Sequence, residues 1–320
     1  MNMQNRNNDN RLGHRKSRRW SARSMIVGTA ALAATLASTV PAVATTAHKA
    51  THGSVSAPFY TATTSKSFSS ATASLKTAVS SAGMMVLGQL NQAGALSITG
   101  LHLKGAETFF VGNPTSGKKF FQMDAAIGAV IPMRIYLWVN AAGQTEIGYL
   151  QPSSLAKAVD SKFAKSATML DGAASMIAKS VTGKAPHVSA TVHNLVFVKT
   201  SSTKSFSSAT ASLKTAVSSA GMMVLGQLNQ AGALSITGLH LNGAASYFVG
   251  NPTTGKSLFE MNSAIGIEIP LDIYLWVNAA GKTQIGYFKP AEVMTAISGK
   301  FASSSSMFDK TAASIVRATK

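Results

Sequence analysis

Cysteine is missing from all 320 residues. Its absence excludes disulfides, thiolate nucleophiles, thiol metal ligands and thiol redox pairs. Acids are also scarce, with 11 Asp+Glu against 29 Lys+Arg, and charged residues of every kind make up only 12% of the chain. Few carboxylates means few candidates for general acid–base work or for hard-metal coordination. Histidine offers little more. His102 and His240 each sit in "GLHL" with no second donor at ligand spacing, and His187 and His193 lie in a segment without further donors. No metal and no cofactor is implied.

The charge that is present is positive, +18 in all. Seven basic residues fall within residues 1–44 (Arg6, Arg11, Arg15, Lys16, Arg18, Arg19, Arg23), opposed by Asp9 alone. The remainder holds 22 basic and 10 acidic residues, a net of +12 with scattered lysines. "RLGHRKSRRWSARS" (11–24) is followed by the apolar "MIVGTAALAATLASTV" (25–40) and then by "PAVATTA". This basic–apolar–small order predicts a secretory signal peptide over residues 1–44, cleaved after Ala44. The mature protein is then secreted or extracytoplasmic. A retained anchor is the alternative, but the apolar run is shorter than the roughly 20 residues a span needs. "SRRW" (17–20) hints at twin-arginine export, although Ser21 and Ala22 are not the bulky apolar pair that route expects.

The chain contains an internal duplication. Residues 66–103, "KSFSSATASLKTAVSSAGMMVLGQLNQAGALSITGLHL", recur unchanged at 204–241, a spacing of 138 residues. Downstream the copies diverge while staying aligned, 109–152 against 247–290. Cores tolerate volume-conserving swaps, so letter identity reads as recent exchange of sequence and not as a demand of folding. The predicted organisation is a flexible segment 45–56, repeat 57–180, a polar linker 181–193 carrying Gly and Pro, and repeat 194–320.

Within a copy, a strand near 57–63 or 194–200 comes first. Ser67 is a plausible N-cap. Ala71, Leu75, Ala78, Val79 and Ala82 then share one helical face, and Gly83 sits where a left-handed cap is wanted. "MMVLGQL" reads as a strand, "NQAGALSIT" as a short helix or turn, and "ETFFVGN" as a strand. Residues 118–128 are mildly helical, "PMRIYLWVN" and "QTEIGYL" form a hairpin across "NAAG", and Pro152 opens a helical segment. The fold class is α+β: two tandem strand–helix–four-strand–helix units, each a mostly antiparallel sheet with helices on one face.

"VGNPTTGKS" (249–257) matches the phosphate-loop pattern letter for letter. Pro252, however, removes a backbone donor from the middle of the loop. In the first copy Lys119 stands where a magnesium-binding hydroxyl is needed, and the strand "IYLWVN" ends in Asn278 with no aspartate. Nucleotide binding is therefore not expected. A turn held by Asn and fixed by Pro is the simpler reading, with a polar ligand contact from Asn113 and Asn251 as the alternative.

"VGNP..GK", the Ile-Pro pairs at 131–132 and 269–270, and "IYLWVN..G.T.IGY..P" together resemble the family known as domain of unknown function 302. The resemblance runs through each copy. It implies a compact strand–helix–four-strand–helix fold that tends to pair as a dimer, and it brings no established activity. Family members often carry an acid and a His after the second strand, where this chain has Asn91-Gln92 and Asn229-Gln230. One branch has Cys where Gly112 and Gly250 stand. Acid–base and thiol chemistry is thus not implied for this chain.

Acids of the first copy also fail to recur as a pair: Glu107 aligns with Ala245, Asp124 with Asn262 and Glu146 with Gln284. Aromatics are more suggestive. Tyr136 and Trp138 share one face of their strand, Ile135, Leu137 and Val139 take the other, and Tyr149 lies on the returning strand. Tyr274, Trp276 and Tyr287 repeat the pattern. A strand apolar on both faces is buried on both. One face can meet helices, and the other must meet the second repeat, a partner chain or a ligand, with intrachain pairing of the repeats preferred. The ligand-binding candidates are Asn113, Tyr136, Trp138, Tyr149, Asn251, Tyr274, Trp276 and Tyr287. The reading is an exported, non-catalytic tandem module for a small amphipathic ligand or an envelope component. Its alternatives are an enzyme without metal or thiol chemistry and nucleic-acid binding by a basic sheet surface, which export disfavours.

Overall fold

The computed structural model describes residues 55–320. The expected signal peptide and residues 45–54 lie outside the described residues. Val55 and Ser56, expected in the flexible segment, already belong to the first strand.

The first repeat runs β1 (Val55–Thr64), α1 (Phe68–Ser81), β2 (Met85–Asn91), α2 (Gln92–Ser97), β3 (Ala106–Gly112), α3 (Pro114–Met123), a 3-10 turn (Ala125–Ala129), β4 (Met133–Val139), β5 (Thr145–Leu150), α4 (Pro152–Val159) and α5 (Thr168–Thr182). After β6 (His187–Leu195) the second repeats this order: β7 (Phe197–Ser201), α6 (Phe206–Ser219), β8 (Met223–Asn229), α7 (Gln230–Ser235), β9 (Ala244–Gly250), α8 (Pro252–Met261), a 3-10 turn (Ser263–Ile267), β10 (Leu271–Val277), β11 (Thr283–Phe288), α9 (Pro290–Ile297) and α10 (Ala302–Thr319). The strands form two antiparallel sheets, ordered β2-β3-β4-β5-β1-β6 and β7-β11-β10-β9-β8. Among the described residues no helix is long and apolar enough to cross a membrane.

The local signals act as the residues dictate. Ser67 caps α1 by accepting from the Ser70 N–H at 3.2 Å, and Gly83 takes φ +67° as the chain turns into β2. Ala71, Leu75, Ala78 and Val79 form the buried stripe of α1. They meet Ile135 and Leu137 of β4, and Ile177 and Val181 of α5, in one apolar cluster. This is the helix-covered face of the first sheet. Asp171 near the start of α5 holds α4 in place by accepting from the Ser153 N–H at 2.8 Å, and Asp309 does the same for Ala291 at 3.0 Å. That explains why this acid recurs in both copies.

Residues 181–193, expected as a polar linker, are built into the fold. Helix α5 continues to Thr182, Gly183 ends it at φ +76°, and "HVSATVHNL" pairs antiparallel with β1. The physical reason is the edge of β1, whose backbone groups would otherwise be unpaired. The strand expected at 194–200 is correspondingly divided: Leu195 closes β6 and Phe197 opens β7.

The second face of each sheet is covered by the other repeat. Tyr136 donates from its hydroxyl to the Ser263 carbonyl at 2.8 Å, and Tyr274 donates to the Ala125 carbonyl at 2.7 Å. Lys118 donates to the Thr237 carbonyl at 2.8 Å, and Lys256 to that of Thr99 at 3.3 Å. Gln92 donates to Gly266 and Gln230 to Gly128, both at 3.2 Å. Phe110 stacks on Phe248 with ring centroids 4.4 Å apart, flanked by Leu90 and Leu228. Each of these contacts has its mirror at the spacing of the repeat, so the two units are related by an approximate two-fold axis through the Phe110–Phe248 stack.

Candidate functional site

The expected site residues fall into three places. Tyr136 and Trp138 stack at 5.0 Å, are buried, and lie in a core cluster with Leu258, Phe259 and Ile265 of the second repeat. Tyr274 and Trp276 stack at 5.1 Å and meet Phe121, Ala126 and Ile127 of the first. Their rings are occupied by protein. Tyr149 and Tyr287 point to the helix-covered faces. Tyr149 stacks on Tyr60 at 5.4 Å, and burial pushes its hydroxyl up to about 12, against the opposing effect of Ser175. Asn113 and Asn251 stand apart from both sets, at the ends of β3 and β9.

These asparagines organise a corner. Asn113 Oδ1 accepts from the N–H groups of Thr115 and Ser116, capping α3, while its Nδ2 donates to the Gly83 carbonyl at 2.7 Å. Asn251 repeats this with Thr253, Thr254 and Gly221. Pro114 and Pro252 take the first helical position, where a missing N–H costs nothing. The amide donors that a phosphate would need at Gly250–Ser257 are therefore already filled by Asn251, and Lys256 points to Thr99. Replacing Asn113 by Ala removes both functions and is expected to cost about 1–2 kcal/mol. Asn113→Asp keeps the cap but loses the tie to Gly83, so thermal melts should place it between the wild type and Asn113→Ala.

Beside each corner is a pocket. In the first repeat it holds about 220 Å³, between the α1–β2 turn, α3 and α5, with Met84, Leu87, Phe121, Met169 and Leu170 in its wall. Leu234 of α7 closes one side, so the second repeat contributes. The equivalent pocket of the second repeat holds about 170 Å³ and is walled by Met222, Leu258, Ile269, Met307 and Phe308. Its smaller size follows from sequence: Leu170 becomes Phe308 and Ala173 becomes Thr311. Gly112 keeps the floor open, since a Cβ there would stand 3.2 Å from Leu87 Cδ1 and 3.3 Å from Pro132 Cβ. Neither wall includes an Asp, Glu, His, Lys, Arg or Tyr. Paired methionines at each pocket offer adaptable apolar contact. Among the described residues no group of three or more metal-ligating acids and histidines comes together.

A second feature was not expected from the sequence. Near the two-fold axis Arg134 of β4 crosses to the second repeat and donates to the carbonyls of Gly266, Glu268 and Pro270 at 3.3, 3.5 and 3.3 Å. Glu268 and Asp272 flank it, around a small cavity of about 80 Å³ that Gln230 and Ser246 also line. Burial pushes the Glu268 carboxyl up to about 8 and that of Asp272 to about 7, with Arg134 opposing both shifts. The Arg134 Nε and Asp272 Oδ1 are shut off from solvent without a protein partner. The signal was present in the aligned copies, where Val130 faces Glu268 and Arg134 faces Asp272 inside an otherwise preserved block.

A family model described as domain of unknown function DUF302 matches residues 60–181 and again 197–320. No curated protein matches the chain. Among solved structures, the crystal structure of an uncharacterized conserved protein DUF302 from Bacillus stearothermophilus is similar at 19% identity and a TM-score of 0.36. That match covers 38% of this chain and 97% of the other.

Proposed function

The chain belongs to the DUF302 family as a tandem repeat, and from that premise we propose that it is a non-catalytic binding module that takes a small amphipathic ligand in the two corner pockets, outside the cytoplasm. The observation that carries the reading is the recurrence of the pocket in both copies with an apolar, methionine-bearing wall free of titratable groups. Such a wall offers dispersion and desolvation, and it offers no acid, base or activated nucleophile. The Asn113 and Asn251 corners, where polar backbone meets the apolar wall, are where the head of an amphiphile would rest. The basic–apolar–small order of residues 11–44 supports export. The aromatic sheet faces, filled by the opposite repeat, are left out of this site.

An apolar cavity of about 150 Å³ holds a benzene ring, so these pockets suit a single ring or a short acyl chain. Titration calorimetry of the chain with octanol and with benzene is expected to give two sites per chain, with Kd between about 10 μM and 1 mM for ligands of this size. Ala173→Trp should remove the site in the larger pocket and Thr311→Trp the other, each leaving the fold intact by circular dichroism. Absence of saturable binding by either probe would overturn the reading.

A further inference from the structure

Many of the contacts that join the repeats are made by residues the two copies share: Tyr136 and Tyr274, Lys118 and Lys256, and Phe110 and Phe248 recur at the repeat spacing. Leu90 and Leu228, Gln92 and Gln230, and Thr99 and Thr237 lie in the identical run. Residues common to both copies cannot by themselves tell one repeat from the other. They would join first to first, first to second, or second to second, within a chain or between chains, with equal ease.

We propose that the buried charges at the axis are a partner code that restricts pairing to one first repeat and one second repeat, so that each chain closes on itself. The first repeat presents Arg134 and Val130, and the second presents Asp272 and Glu268 at the equivalent positions. First with second sets one guanidinium around the same small cavity as two carboxyl groups and gives it three carbonyls that accept from it. First with first would bury two guanidinium groups with no acid between them. Second with second would gather four carboxyl groups with no cation. A guanidinium enclosed without acceptors is heavily disfavoured, and so are carboxyl groups enclosed without a partner, whether they stay ionised or must hold their protons; rejecting wrong partners is an attested use of buried polar groups. Arg134 also has no mirror contact, since Asp272 cannot donate to the carbonyls of Gly128, Val130 and Pro132. The axis is thus one place where chemistry breaks the approximate symmetry; another is Ser263, whose hydroxyl donates to the Val139 carbonyl where the first repeat has Ala125.

The test is a charge exchange between two full-length chains. Arg134→Asp leaves three acids at the axis, and Asp272→Arg leaves two cations beside Glu268. Each variant alone is expected to melt about 10 °C below the wild type. Denatured together and refolded, the two variants should form a 1:1 two-chain particle, measured by size exclusion with light scattering. In it the altered first repeat of one chain meets the altered second repeat of the other, which restores a guanidinium opposite an acidic residue with the two positions exchanged. The remaining pair of repeats, both unaltered, reproduces the natural axis. Neither variant alone, nor the wild type, should give that particle. A mixture that behaves as the sum of its parts overturns the proposal, as does Arg134→Asp melting like the wild type. Should the single variants fail to fold, the double variant R134D/D272R decides: it is expected to be a folded single-chain species that regains at least half of the lost melting temperature. If it is no better than Arg134→Asp, the charges are not a code.

Discussion

Adding one methyl group at Gly266 is expected to lower the melting temperature by about 10 °C, corresponding to roughly 3–5 kcal/mol of stability. Gly128→Ala should do nearly the same. Neither glycine is needed for a left-handed backbone, and the cause is proximity. A Cβ on Gly266 would collide with Tyr136 Cζ, and one on Gly128 with the Tyr274 hydroxyl oxygen, both far inside van der Waals contact. Tyr136 has nowhere to retreat. Its ring is fully buried, stacked on Trp138, and its hydroxyl is committed to the Ser263 carbonyl. Displacing it breaks a buried hydrogen bond and prises the 3-10 turn off the sheet. A control comes from Gly172, within α5, where an added Cβ meets nothing within 4 Å. Gly172→Ala should be neutral or stabilise by up to about 1 kcal/mol, since helix propensity alone changes. Tyr136→Leu combined with Gly266→Ala should recover part of the loss. Scanning calorimetry distinguishes these outcomes, and a shift under about 2 °C for Gly266→Ala would show that Tyr136 does not hold the repeats together.

The sequence reveals the elements and their faces well, and the reasons are local. Ser67, Gly83, Asn113 and Pro114 act through their own backbone neighbours, so their roles can be read from a few residues. The alternation of Ile135, Tyr136, Leu137 and Trp138 separates helix face from opposite face because strand geometry fixes it. Two things were less legible. Residues 187–195 look polar and loop-like because β6 is an edge strand with one wet side, and only the unpaired edge of β1 calls it into the sheet. Aromatic content points to Tyr136 and Trp138 as ligand candidates, yet their rings pack against the second repeat. The pockets arise where elements distant in sequence converge, as Met84, Phe121 and Met169 do, and no spacing announces that. The charge cluster lies between these cases. No single copy discloses it, but comparing Val130 with Glu268 and Arg134 with Asp272 does, because two changes four positions apart, both toward acid in the second copy, stand out in an otherwise preserved block.

That cluster also makes stability fall as pH rises, the reverse of what most carboxylates do. The folded protein holds the Glu268 carboxyl at about 8 and the Asp272 carboxyl at about 7, against 4.5 and 3.8 for the free groups. Burial is the main cause in both. For Glu268 the Arg134 guanidinium opposes it, and Asp272 and Asp309 add to it. Between about pH 4 and pH 8 the unfolded chain has released these protons while the folded chain retains them. The unfolded state then binds fewer protons, so unfolding becomes easier with each step upward. Below about pH 4 this contribution is complete, and above about pH 8 it is gone. Because the two carboxyl groups share one guanidinium their effects do not simply add, and a total on the order of 4 kcal/mol is expected between about pH 5 and pH 8.5. The melting temperature should drop by roughly 10 °C over that range. Glu268→Gln supplies the uncharged form permanently: it should match the wild type near pH 5, exceed it at pH 8.5, and remove most of the slope. Asp160 works in the opposite sense. Burial raises it, but the backbone N–H and ammonium of Lys162 outweigh that and hold it low, so its smaller contribution is lost only as acid protonates it. A melting curve flat from pH 5 to pH 8.5, or a Glu268→Gln chain that keeps the wild-type slope, would mean that these carboxyl groups are ionised in the folded protein, and that Arg134 neutralises them more fully than their burial allows.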